Sequence, residues 1–558
     1  MKTAAQNADI SEVKLFNFRP VLFAAVFLCL GIVFGYLQII DGVSTWWRCS
    51  LLVLVLPIIL YQNPKKRKRA VWVVLLLIVA FTLGEGAFRI KTHDYLQSRY
   101  FEGEVTAVGR VIEKREYEHS IFVILTDVSV DGNDEKGNFI AYLPATFGEN
   151  VRLSDRILLT AKVETYKTLF DEYGFAANRI RDDIRYRLYS IQDTFVTGHE
   201  FDLFLSIRER IVSVIYAGMD ETPAAVTVAL FTGSVDGMDN ALLENVRYGG
   251  IAHIFAVSGL HVGALYLFCR KAFKKLGIPK LLDWFLLTAV LLFYAGVCGF
   301  SASVVRAVVI CLLAHLAKNL WLKVDFLQSL GASAIVVLLI SPTSLYEVGF
   351  QLSFLACIGL ALLSAPIQKA LEKCVLTIEK VVKKALRLDR RARPRPRPKN
   401  ADTAPPSMYE RARRAVLSFL SACIGAQLAT APVQMQAFGY LSGWSLLLNC
   451  LFVPLVSGVF AAFLLLIIIA CLLPTPIAGM LLYVPSVVWS ALLLLFETLD
   501  FSAFAWTGVT LSGGAFCSYY AGVQFLSDKW NLAKRQKRVL IFASFATFVI
   551  CIIFGNIL

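Results

Sequence analysis

Apolar residues fill most of this chain in runs of about twenty, the length an α-helix needs to cross hydrocarbon. The runs fall at 20–40, 49–62, 70–88, 250–269, 281–300, 304–321, 327–341, 347–364, 415–438, 444–472, 477–498, 504–526 and 537–557. They predict a polytopic α-helical membrane protein with about 10–13 transmembrane helices. The runs at 49–62 and 327–341 are short, and that at 444–472 is long and holds Pro454, so the number of spans can shift with small changes of boundary.

Between about 95 and 200 the period changes from helical to two. Alternating runs at 103–114, 119–130, 138–143 and 156–166 are separated by DGND and FGEN, which predicts a small antiparallel barrel or sheet. An OB-type barrel is the natural small candidate, and an SH3-like one has a similar strand count. Residues 201–220 set apolar positions at helical spacing around Arg208, Glu209 and Arg210, the pattern of a helix lying in the interface. The apolar stretch that follows is too short to cross and is interrupted by Gly233 and Gly237, which suits a re-entrant or interfacial hairpin. The chain therefore divides into N-terminal helices (1–94), an OB-like insertion (95–200), the interfacial and re-entrant segment (201–249), a membrane domain in two parts (250–368 and 415–558) and a basic loop between them (369–414).

Composition supports this division: 57% of the 558 residues are hydrophobic and 17% charged, which excludes an ordinary soluble protein. The first apolar run follows polar residues without a small-residue cleavage site, so it reads as a retained helix. The twelve cysteines lie mostly within apolar runs and form no CxxC pair, so they read as small core residues. The net charge of +14 is concentrated, because residues 369–414 carry 15 Lys/Arg against 5 Asp/Glu, a local +10. NPKKRKR, RKAFKK, KNLWLK, the basic loop and the run at 528–538 all fall on one side of the predicted topology together with the N-terminus. The positive-inside rule makes that side cytoplasmic and puts the barrel outside. RRARPRPRPK within the loop favours an extended conformation, and its charge suits anionic lipid headgroups or a polyanion emerging inside.

The stretch RYGGIAHIFAVSGLHVGALYL, 247–267, is apolar enough to span yet carries His253, Ser258, Gly259 and His261. Each polar group taken singly also fits helix packing. Together, in a medium without water to satisfy them, they point to a bundle interior or a wet cavity. Arg306 lies several residues inside a later span and requires a carboxylate, a cavity or an anion, with Glu347 as the structural partner in reach of sequence reasoning. Gln351 starts the next span, and Asn449 lies in a segment bracketed by Pro432 and Pro454, so these groups suggest a polar path.

Other chemistries fit less well. Ser258 with His261 or His315 would make an intramembrane serine hydrolase, but the residues preceding the serine are Ala-Val. His253 and His261 are eight apart, about 12 Å along an unbroken helix, with no third ligand, so no metal is assigned. There is no P-loop or dinucleotide loop, no cofactor is expected, and any ATP-driven work falls to a partner. The barrel's acids slightly outnumber its bases, which argues against a nucleic-acid groove on charge alone.

Taken in order, HIFAVSGLHVGAL, FSASVVRAVVICLLA, SPTSLYEVGFQLSFLACIGL and APVQMQAFGYLSGWSLLLNCLFVPLV resemble the competence domain of ComEC-family DNA-uptake channels. The insertion ending FDEYGFAANRIRDD resembles that family's extracytoplasmic OB-like domain. The resemblance implies a bacterial inner-membrane channel passing single-stranded transforming DNA, with His253, Ser258, Gly259, His261, Arg306, Gln351 and Asn449 in or beside the channel. It also implies a separate DNA receptor, a nuclease and a cytoplasmic motor ATPase, and is compatible with a homo-oligomer. Transport of another anionic substrate remains an alternative. The sequence departs from many members in lacking an HxHxDH motif and a metallo-β-lactamase-like domain after its last span, so no nuclease activity is expected of it.

Overall fold

The computed structural model describes residues 19–40 and 64–555, except for 118, 146–150, 172–173, 236, 256, 324, 386–406, 500, 509–510 and 528–532. The span expected at 49–62 and the proline-alternating part of the basic loop lie outside the described residues.

Helices α1 (Pro20–Ile40) and α2 (Pro64–Leu96) lead into a closed barrel. Its strands are β1 (Glu104–Glu116), β2 (Ser120–Val130), β3 (Asn138–Pro144), β4 (Asp155–Thr165) and β5 (Ile184–His199). They pair in the order β1-β4-β5-β3-β2, and β2 pairs again with β1 to close the ring. All pairs are antiparallel except β3 with β5. That Greek-key order is the OB topology and settles the choice that strand count left open. The period-two pattern decides what is inside: Ile157, Leu159 and Ala161 point inward and are fully buried together with Val123, Leu125 and Phe139, while alternate residues face out.

The barrel is seated firmly on the helices. The buried Arg185 reaches the Asp94 carboxylate at 2.5 Å and Asp183 at 3.0 Å, and the Tyr95 hydroxyl donates to the Ile184 carbonyl at 2.7 Å. Phe175 packs against Tyr36, Phe88 and Tyr346, with ring centroids 5.0–6.0 Å apart. The short helix α3 (Ala177–Arg181) supplies Arg181, which pairs with Glu347 at 2.5 Å. Glu347 is therefore not the counter-charge of Arg306, contrary to the sequence expectation; its partner comes from the barrel, and Ser344 donates to its other oxygen at 2.8 Å.

Beyond the barrel run α4 (Leu203–Gly218), α5 (Glu221–Thr232), α6 (Asn240–Tyr248), α7 (Ala252–Phe255) and α8 (Gly259–Lys275). Asp202 caps α4, accepting from the amides of Phe204 and Leu205 at 3.0 Å each, and these bonds, Leu205's foremost, hold its carboxyl below the ordinary range. Pro223 through Thr232 of α5 are all buried, so this short helix lies within the bundle rather than at its surface. There follow α9 (Lys280–Val297), α10 (Ala302–Asn319), α11 (Phe326–Ile340), a 3₁₀ turn (Pro342–Tyr346), α12 (Val348–Ala385) and α13 (Met408–Phe438). The last are α14 (Ser445–Leu472), α15 (Thr475–Thr498), α16 (Gly513–Leu526) and α17 (Lys534–Gly555).

Among the described residues eight helices are long and apolar enough to span a membrane: α1, α2, α9, α10, α12, α13, α14 and α15. The run at 250–269, expected as one span, is instead split. Gly250 adopts φ +70°, α7 ends at Phe255, and α8 begins at Gly259 behind an extended Ser258. Phe255, Leu265, Leu287, Val304, Phe452 and Phe460 pack around this interruption in the main core.

Candidate functional site

The interruption is held open by capping. Ser258 is the N-cap of α8: its Oγ accepts from the Leu260 amide at 3.3 Å, and its own amide donates to His261 Nδ1 at 3.0 Å. A histidine thus fills the role that Glu or Gln takes in the usual reciprocal cap. Because Nδ1 accepts, the ring proton of the neutral imidazole sits on Nε2. His261 is 1% exposed, its ring lies 4.4 Å from that of Phe460, and Nε2 has no partner among the described residues.

Arg306, one turn into α10, is 7% exposed. Its Nη1 donates to the Ser353 carbonyl, its guanidinium carbon lies 5.7 Å from the centre of the Phe354 ring, and its Nε is unpartnered among the described residues. Nη2 lies against Gly259, only 3.1 Å from where a Cβ would stand. Among the described residues no carboxylate pairs with it. Ser258, Gly259, His261 and Arg306 therefore meet at the start of α8.

A second group lies at the other end of the interruption. Asn449 donates to Ser445 Oγ at 3.0 Å and to the Gly250 carbonyl at 3.4 Å, and its buried Oδ1 has no partner among the described residues. His253 lies against the same carbonyl, and its side chain is exposed. Gly250 packs on Ser445 and His261 on Phe460, so the broken segment follows α14 for fifteen residues, roughly 22 Å. The two polar groups lie at the two ends of this track along α14. Gln351 joins neither group: its amide donates to the Leu345 carbonyl at 3.0 Å and closes the 3₁₀ turn.

The geometry does not assemble the hydrolase alternative. His315 lies nine residues beyond Arg306, about 13 Å along α10. Its Nε2 is 3.1 Å from Asp283, and its Nδ1 is 3.4 Å from the Tyr266 hydroxyl. His261 meets the Ser258 amide rather than its hydroxyl. His253 and His261 stand on opposite sides of the break, and no cluster of three metal-ligating side chains occurs among the described residues.

The barrel carries a feature that its overall charge conceals. Arg115, Phe122 and Tyr142 are cross-strand neighbours on β1, β2 and β3, all facing outward. The Phe122 and Tyr142 rings are 5.2 Å apart, Arg115 lies 5.8 Å from the Phe122 ring centre, and Arg187 of β5 lies 5.8 Å from that of Tyr142. Tyr189 extends the row, and Tyr142 and Tyr189 are each 45% exposed. The sequence held the signal in the outward phase of Phe122 and Tyr142, which a charge count over the whole insertion averages away.

The chain is thus a polytopic helical membrane protein in which an OB-like barrel rests on a helical domain with a polar break in its core. Residues 230–531, which include every residue of the track, match the family model described as "Competence protein". The match covers more than half of the chain, and the chain belongs to that family. It is similar to "ComE operon protein 3" of Bacillus subtilis (strain 168), 32% identical over 167 residues, 30% of this chain and 21% of that protein. It is also similar to "Uncharacterized protein MG316 homolog" of Mycoplasma pneumoniae, 31% identical over 119 residues, 21% of this chain and 30% of that protein. The matches thus span less than a third of either relative's length. No solved structure matches the chain.

Proposed function

We propose that the protein is a bacterial plasma-membrane channel that takes up single-stranded DNA in natural competence. The observation that carries this reading is the set of polar groups along α14, Asn449 and the exposed His253 at one end and Ser258, His261 and Arg306 at the other. A strand with one charge per nucleotide cannot enter hydrocarbon, so its path must offer polar and cationic groups in place of water and counterions. His253, Ser258, His261, Arg306 and Asn449 offer them inside the membrane domain, with Gly259 allowing the guanidinium to approach. The row on the barrel supports a single-stranded substrate, since exposed rings interleaved with arginines suit stacked bases and phosphates.

Two contacts support an orientation with the N-terminus inside and the barrel outside. Arg19 at the start of α1 pairs with Asp325 at the start of α11 at 2.7 Å, and the barrel rests on the opposite ends of these helices through Tyr36 and Tyr346. With basic loops inside, the N-terminus is cytoplasmic and the barrel external. The channel would work with a separate receptor, nuclease and motor ATPase, and its basic loop would meet anionic lipid.

Uptake of labelled DNA tests the reading. Competent cells lacking the gene are expected to bind label but internalise none. Cells carrying Phe122→Ala with Tyr142→Ala should internalise roughly tenfold less or below, because each stacking ring contributes about 1–3 kcal/mol. Undiminished internalisation in the gene's absence would refute the proposal.

A further inference from the structure

Ser258 already caps α8, and two side chains beside it keep donors that the cap does not use. The N-terminus of this 17-residue helix carries the positive end of its dipole. The Arg306 guanidinium lies against its first residue, and among the described residues neither its Nε–H nor the Nε2–H of His261 in the same turn has a partner. Arg306 is 93% buried by its 7% exposure and His261 99% by its 1%. Side by side, a cation and a helix N-terminus repel, and a buried cation without a carboxylate is costly. Such a set is stable when an anion completes it, as helix N-termini do for phosphate. Ser258 and Gly259 keep accessible surface, so the spot is reachable.

We propose that the start of α8 is a binding site for one phosphate group, held by Arg306, the Nε2–H of His261 and the Gly259 amide. In the channel the phosphate would be a backbone diester of the passing strand, and that part alone rests on the function proposed above. The site would hold the strand one phosphate at a time at the narrow break. Free phosphate shares the chemistry and serves as the probe.

The test uses the full chain purified in detergent, with thermal unfolding followed against inorganic phosphate at constant ionic strength and chloride as the control anion. Phosphate should raise the unfolding temperature saturably. Arg306→Gln should weaken its apparent affinity about tenfold or more, as loss of a charged hydrogen bond implies. Gly259→Ala, whose methyl occupies the space beside Nη2, should also weaken it and guards against misfolding of the first variant. A short oligothymidylate should compete with phosphate, and its neutral methylphosphonate analogue should not. Equal phosphate affinity in wild type and both variants, or no stabilisation by phosphate at all, would overturn the site. Variant-sensitive phosphate binding without competition from the oligonucleotide would leave the site standing and count against DNA as its occupant.

Discussion

Gly250→Ala is expected to abolish DNA uptake and to destabilise the protein by roughly 2–5 kcal/mol. Gly250 turns the chain into the break at φ +70°, a conformation costing a residue with a Cβ about 1–2 kcal/mol. A Cβ there would also stand 2.6 Å from that of Ser445, and overpacking of that kind adds about 1–3 kcal/mol. Relief of the contact means moving the Gly250 carbonyl, on which Asn449 and His253 both depend. The control is Gly263→Ala on α8, where a Cβ meets nothing within 4 Å. That variant should unfold and transport as the wild type does. Denaturation midpoints and internalised label in the two variants decide the matter, and equal behaviour would show that the turn is not needed.

Arg306→Met should separate stability from function. A buried cation without a carboxylate burdens the fold, and replacing buried charge by an apolar side chain of similar volume is commonly neutral or stabilising by about 1–4 kcal/mol. The variant is therefore expected to unfold at the same or a higher temperature while uptake falls to background. A loss of about 3–5 kcal/mol would instead be the signature of a broken buried pair. Retained uptake would remove the arginine from the path.

The helices and the barrel were legible in the sequence for a physical reason: each buries one face or stripe against a partner, and that leaves a period. The break between Phe255 and Gly259 left none, since apolar residues continue through it. Its signal was Ser258 followed three residues on by His261, a reciprocal cap whose histidine does not match the expected Glu or Gln. The partner of Glu347 was hidden because Arg181 comes from another domain, 166 residues away. Spacing along a membrane span suggested Arg306, and only the docked barrel shows that Glu347 is already satisfied. Gln351 was singled out for its polarity and serves a local turn. Phe122 and Tyr142 were lost because a charge count does not register outward-facing rings, and the arginines of the row are themselves paired with Glu113 and Glu164.

The central claim is that the strand runs through the bundle beside the broken helix. A photoreactive residue at position 253, and another at the outward-facing Phe285, can be irradiated while labelled DNA is being taken up. The account predicts label covalently joined to the protein from position 253 and none from 285. Continued uptake with no cross-link at 253, or equal cross-linking from both positions, would contradict it.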